Sequence, residues 1–251
     1  MPDLRALLEQ RPVIGTFLKL PRPEVVAVLA QAGLDFLICD LEHSQADERD
    51  CREVILAARA EGVPVVVRVS DMDRGVINRV LEAGAAGIQL PRTRVVADSA
   101  GLRDLVSYPP AGSRSVSLAQ PAARYGAVAL PAYLAESNAS VLAIGQFETA
   151  DLTDPLDDVV KSLDVAFIGS VDLSVDAGAP GQIDAPAVRR LTERIEAAAT
   201  RTGTHLGVFA ATAAAARQAV AAGYRYVAIG ADITLLAGAA RELVSAVQEH
   251  S

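Results

Sequence analysis

Short, nearly unbroken apolar runs alternate with longer segments of helical period along the whole chain. The runs lie near Val13–Leu18, Asp35–Asp40, Pro64–Val69, Gly87–Leu90, Leu142–Phe147, Val165–Ile168, His205–Phe209 and Tyr226–Ile229. Their apolar residues do not alternate with polar ones, which marks strands covered on both faces, as in a parallel sheet lying between helices. Eight such strands joined by right-handed helical crossovers can close on themselves, so the pattern predicts an α/β fold, a single (β/α)8 TIM barrel over residues 1–251.

The crossover segments carry start and stop signals of their own. After the second strand, Cys51, Val54, Ile55 and Ala58 fall on one helical stripe. After the third, Asp73 can cap a helix whose Val76, Ile77, Val80 and Leu81 face inward, and Gly84 suits a left-handed C-terminal turn. After the fifth, Asp154 is the expected cap, Pro155 fits the first turn, and Leu156, Val159, Val160 and Leu163 form the stripe. Helices are also expected over Val95–Ser107, Asp184–Gly203, Ala210–Ala222 and Asp232–Glu249, the last with Leu236, Ala240, Leu243 and Val247 on one face. The interval Thr93–Ser140 between strands 4 and 5 is too long for a plain connection. Past its helix it holds Tyr108-Pro109-Pro110-Ala111-Gly112-Ser113-Arg114, a loop of the kind that carries function or serves as a lid.

Composition sharpens this picture. The chain has 251 residues, and one such barrel typically takes ~250. Apolar residues make up 51% but aromatics only 4%, with no Trp, so the core must be assembled from Ala, Val, Leu and Ile. A net charge of −8 without a basic tract excludes a nucleic-acid partner. No apolar run reaches the ~18 residues that span a bilayer, and Met1-Pro2-Asp3-Leu4-Arg5 has no signal-peptide pattern; no membrane partner and a cytoplasmic location are expected. Cys39 and Cys51 fit a reducing compartment, Cys39 as a small core residue, and no zinc-binding spacing exists.

In a barrel of this kind the C-terminal strand ends carry catalysis. Strand 2 delivers Asp40-Leu41-Glu42-His43, strand 3 Arg68, strand 5 Gln146 and Glu148, and strand 6 Gly169-Ser170-Val171-Asp172. Glu148 and Asp172, on neighbouring strands, suit a hard divalent cation that keeps water and substrate oxygens as its other ligands. Such an ion can hold a 2-oxo acid and favour its enolate. Arg68 adds fixed positive charge at the same oxygens, His43 is the natural proton acceptor near neutral pH, and Asp40 can orient it. Taken singly, Arg68 can be a structural ion-pair partner, Glu148 or Asp172 a helix cap, and His43 a loop residue. Their joint placement gives the chemical reading its weight. His205 is expected at the opposite rim and His250 in the tail.

These segments, with Val65-Val66-Val67-Arg68, Tyr108-Pro109-Pro110-Ala111-Gly112, Gln146-Phe147-Glu148-Thr149 and Ile168-Gly169-Ser170-Val171-Asp172-Leu173-Ser174, resemble the HpcH/HpaI family of class II 2-oxo acid aldolases. The resemblance runs from about Gly15 to Leu236 in the family's order. It implies a barrel of the phosphoenolpyruvate/pyruvate type, with Glu148 and Asp172 as ligands of magnesium, manganese or cobalt. It further implies Arg68 at the keto oxygen of pyruvate, His43 as base with Asp40 as its partner, and Gln146 near metal and substrate. The amides of Val171 and Asp172 would hold the substrate carboxylate, and Glu82 falls where some relatives reach into a neighbouring subunit's site. A homo-oligomer, trimer or hexamer, with the last helix exchanged between subunits is implied as well. The chain departs from the family pattern at Ser170, Val171 and Ser115, which bears on the substrate.

The expected activity is reversible aldol cleavage of a 4-hydroxy-2-oxo acid to pyruvate, or a close 2-oxo acid, and an aldehyde. Oxaloacetate decarboxylation or a citrate-type condensation would use the same enolate. A Schiff-base aldolase would need Lys19, at the end of strand 1, because the other lysine, Lys161, belongs on a helix surface. A scaffold binding a 2-oxo acid without turnover is the non-enzyme alternative, against which an Asp40–His43 pair argues.

Overall fold

The computed structural model describes residues 2–248. Its strands are β1 (Val13–Leu18), β2 (Phe36–Asp40), β3 (Val65–Arg68), β4 (Gly87–Leu90), β5 (Leu142–Phe147), β6 (Val165–Ile168), β7 (His205–Ala210) and β8 (Tyr226–Ala231). All pair in parallel and in sequence order, and β8 returns to β1 to close the barrel. The eight expected strands are therefore all present, with ends shifted by a residue or two.

The apolar runs divide between two cores. Val13, Phe17, Phe36, Ile38, Val66, Leu142, Ile144, Val165, Phe167 and Tyr226 fill the barrel interior, plugged from below by Leu4 and Leu8 of the short helix α1 (Leu4–Gln10). The alternate strand residues, such as Leu37, Cys39, Val65, Val67, Ala143 and Ile168, face the surrounding helices. That double burial explains why the strands show no polar alternation.

The ring of helices comprises α2 (Pro23–Gln31), α3 (Glu48–Glu61), α4 (Arg74–Ala83), α5 (Val96–Val106), α6 (Leu130–Ser140), α7 (Leu156–Val160), α8 (Ser170–Asp176), α9 (Pro186–Thr202), α10 (Ala213–Ala221) and α11 (Asp232–Gln248). Asp73 caps α4 through the Val76 amide, and Gly84 ends it with φ of 113°, a left-handed turn that favours glycine. Cys51, Val54, Ile55 and Ala58 are buried on α3 as the stripe predicts. Cys39 and Cys51 are both buried, their sulfurs 3.0 Å apart. His205 opens β7 and meets Glu9 at 3.1 Å, at the end where the strands start; His250 and Glu249 lie outside the described residues.

Three expectations are corrected. Pro155, not Asp154, stands at the cap of α7, because the Asp154 carboxylate is held by Arg194 of α9 at 2.9 Å. The segment 210–222 is not one helix: Ala210 ends β7 and Thr212 caps α10. The Pro-Pro loop is no lid over the strand ends. Tyr108 is buried against Tyr133, their hydroxyls 3.0 Å apart, and Arg59, in the last turn of α3, donates to the Pro121 carbonyl at 2.9 Å. On α11 the apolar face is exposed, with Leu236, Leu243 and Val247 at 64%, 72% and 70%. Among the described residues no helix is long and apolar enough to cross a membrane.

Candidate active site at the barrel mouth

The period of two that points Phe17, Ile38, Val66 and Ile144 into the barrel also points the residues two further on. Lys19, Asp40, Arg68 and Gln146 thus form the next layer up, with Gln89 of β4 beside Arg68 in register. Glu148 follows Gln146 by the same step.

Asp40 and Arg68 are the centre of this layer, buried and opposite one another in the β2–β3 register. The guanidinium forks onto the carboxylate, Nε to Oδ1 at 2.8 Å and Nη2 to Oδ2 at 2.7 Å. It lies 4.7 Å from the centre of the Phe17 ring and extends Nη1 to Glu42 at 3.2 Å. The Lys19 ammonium also binds Asp40, and Oδ1 accepts the amides of Glu42 at 3.1 Å and His43 at 3.3 Å. Burial alone would raise the Asp40 carboxyl. The Arg68 guanidinium and the Lys19 ammonium together outweigh burial and hold the group down to about 2.

A second chain of polar groups aims Glu148. Gln89 Nε2 donates to Gln146 Oε1 at 2.5 Å, Gln146 Nε2 donates to Glu148, and the Arg92 amide donates to the other carboxylate oxygen at 2.9 Å. Glycine at 169 leaves room for Glu148, since a Cβ there would come within 3.0 Å of the Glu148 Cβ and 3.1 Å of its carboxylate and would press on both. Asp172 lies in the first turn of α8. Burial pushes the Glu148 carboxyl up, and the nearby Asp172 charge pushes the same way against the Gln146 and Arg92 hydrogen bonds. Glu42 is also raised by burial, the Glu148 charge adding to it and Arg68 opposing.

One sequence expectation fails at this point. Asp40 does not orient the His43 ring. A planar guanidinium matches both carboxylate oxygens at once, so Arg68 takes the place assigned to His43, and only the His43 backbone reaches Asp40. The ring is 58% exposed and its Nε2 lies 3.7 Å from Glu42. Glu42 is thus a site residue that strand-end reasoning passed over, although it stood inside the Asp40–His43 segment; Gln89 was missed too, although like Gln146 it is the next-to-last residue of its strand. Val171 presents a half-exposed side chain at the rim. Lys161 pairs with Asp158 on the outside, and Glu82 stays on α4, where Asn78 donates to it at 3.2 Å. Lys19 is ion-paired, not set in the apolar pocket that activates a Schiff-base amine.

The donor set fits a hard divalent cation. Glu148 is buried and Asp172 exposed in the first turn of α8, and their charges oppose each other, which a cation between them would relieve. Among the described residues no group of three or more His, Cys, Asp or Glu side chains forms a closed cage. Two protein carboxylates leave the remaining positions to substrate and water.

The family profile described as HpcH/HpaI aldolase/citrate lyase matches residues 13–239. A hydroxypyruvate/pyruvate aldolase of Paraburkholderia phytofirmans is 32% identical over 250 residues, covering 96% of this chain and 95% of that protein. The crystal structure of an HpcH/HpaI aldolase from Desulfitobacterium hafniense superposes with a TM-score of 0.94 at 29% identity, over 99% of this chain and 98% of the other. That of the citrate synthase SbnG gives 0.88 at 25% identity, over 99% and 98%.

Proposed function

The chain belongs to the HpcH/HpaI aldolase/citrate lyase family and is an aldolase-type lyase, and from that premise we propose that it cleaves a 4-hydroxy-2-oxo acid reversibly to pyruvate, or a close 2-oxo acid, and an aldehyde. The observation that carries this reading is the Arg68 guanidinium, locked by Asp40 and set near the buried Glu148 carboxylate, whose proton affinity burial raises. A rigid cation at the mouth favours an oxyanion without reorganising when charge develops.

Glu148 and Asp172 would hold magnesium, manganese or cobalt, and when bound the ion supplies Lewis-acid polarisation of the keto group. The substrate carboxylate is received by the first-turn amides of Val171 and Asp172, which an α-helix leaves without partners of its own. Arg68 faces the keto oxygen and takes up the charge of the enolate. Gln146, tied to both Gln89 and Glu148, fixes the edge of that pocket. His43, on the exposed loop after β2, exchanges the proton with the C3 carbon at Nε2, and Glu42 beside it supports the charged ring. The enolate carbon then attacks the aldehyde; cleavage is the reverse.

The assay follows pyruvate release from 4-hydroxy-2-oxo acids with magnesium or manganese. Full activity in chelator would overturn the metal role. Oxaloacetate decarboxylation, or condensation onto oxaloacetate, is a second reading, favoured by the fold similarity to a citrate synthase. Mass spectrometry of products from oxaloacetate alone separates the two. The exposed apolar face of α11 supports a homo-oligomer, a trimer or hexamer, in which a neighbouring subunit covers it; light scattering measures the assembly.

A further inference from the structure

We propose that Lys19 is a positioning residue that fixes the His43 loop for proton transfer, an inference that rests on the reading of His43 given above. Lys19 follows the last residue of β1, and its backbone is clamped by the start of α11. The buried Asp232 carboxylate, first residue of α11, accepts the amides of Lys19 at 2.9 Å and Leu20 at 2.8 Å. The side chain therefore leaves the strand end from a fixed point and runs inward, its ammonium 5.7 Å from the centre of the Phe17 ring.

The ammonium reaches two groups together, the Asp40 carboxylate and, at 3.2 Å, the His43 carbonyl oxygen. Asp40 in turn accepts the His43 amide. Residue 43 is thus held on both sides of its Cα, by Asp40 through N–H and by Lys19 through C=O, while Lys19 and Asp40 hold each other. Its ring makes no tight contact, 3.7 Å from Glu42 and 58% exposed, so the backbone decides where Nε2 stands. The Ser44 hydroxyl closes the same loop onto the Asp40 carbonyl, leaving the carbonyl of residue 43 to Lys19.

Neutralising Asp40 does not by itself require Lys19. Arg68 already covers both carboxylate oxygens with its fork. What Lys19 adds is the link from strand 1 to the loop after strand 2, which Arg68, whose fork is already committed to Asp40 from strand 3, does not make.

The test is exchange of the C3 protons of pyruvate in D2O, followed by proton NMR with the magnesium-loaded enzyme, for wild type, Lys19→Met, Lys19→Arg and His43→Ala. Lys19→Met is expected to lower kcat for exchange about tenfold, the size of one charge-assisted hydrogen bond, with KM for pyruvate within roughly twofold. Lys19→Arg, which can still bridge a carboxylate and a carbonyl, should regain most of the loss. Lys19→Met within roughly twofold of wild type, a rise in KM matching the fall in kcat, or a folded Lys19→Arg as slow as Lys19→Met would each overturn the inference. If wild type does not exchange at all, the reading of the site fails first; if His43→Ala is silent while Lys19→Met is normal, only the Lys19 inference falls. Should Lys19→Met not fold, Lys19→Gln gives the same readouts.

Discussion

Replacing Asp40 by Ala separates the geometry found here from the one expected of a histidine partner. The variant leaves the buried Arg68 guanidinium with Glu42 alone and frees the amides of Glu42 and His43. Removing one partner of a buried pair costs about 3–5 kcal/mol. The fall of the Asp40 carboxyl from an ordinary 3.8 to about 2 gives a consistent lower figure, about 2–3 kcal/mol at neutral pH. For a chain of this size each kcal/mol moves Tm by about 2–4 °C, so a drop of about 6–20 °C is expected. The sign with pH is definite. A carboxylate with a lowered value stabilises the fold above its ordinary range and ceases to do so as pH falls through 2, so wild type and variant should converge between pH ~4 and ~2. The rate should also fall, by about 10²–10³ in kcat, because Arg68 loses its fixed direction. Circular dichroism melts at several pH values, together with pyruvate release, measure both effects. A Tm within about 2 °C of wild type, with only the base limb of the pH–rate profile moved, would refute the Arg68 anchor and restore Asp40 as the partner of His43.

Two other perturbations follow from the same geometry. Glu42 and Glu148 both lie above the ordinary carboxylate range, so the folded metal-free protein retains protons that the unfolded chain has released. Its stability should therefore decline as pH rises from about 4.5 upward through the raised values, and magnesium or manganese should reverse that decline in differential scanning calorimetry; a metal-independent curve would contradict it. Gly169→Ala drives a Cβ to 3.0 Å from the Glu148 Cβ, so divalent-ion affinity and kcat should fall about tenfold or more with little change in Tm, and a variant with normal metal dependence would show that Glu148 has room to move.

Much of the fold was legible because double burial leaves a plain trace: strands of Val, Ile, Leu and Ala with no polar alternation, separated by amphipathic helices with recognisable ends such as Asp73 and Gly84. The strand-end rule also gathered Asp40, Arg68, Gln146 and Glu148 into one layer. What it could not reveal was which polar group pairs with which. Asp40 has Lys19, Arg68 and His43 all within reach, and the choice turns on the match of a forked guanidinium to a carboxylate across the β2–β3 register, a spatial fact. Asp154 looked like a helix cap for a similar reason, since nothing local reveals that Arg194, forty residues on, holds it. The apolar stripe of α11 was read correctly as a stripe, but periodicity does not say what covers it.

Calorimetric titration of manganese into the protein, with and without pyruvate, tests the central claim most directly. One site per chain is predicted, tightened by pyruvate and weakened at least about tenfold in Glu148→Gln and in Asp172→Asn. Undiminished binding in either variant, or binding indifferent to pyruvate, would show that these two carboxylates do not hold the ion on which the proposed chemistry relies.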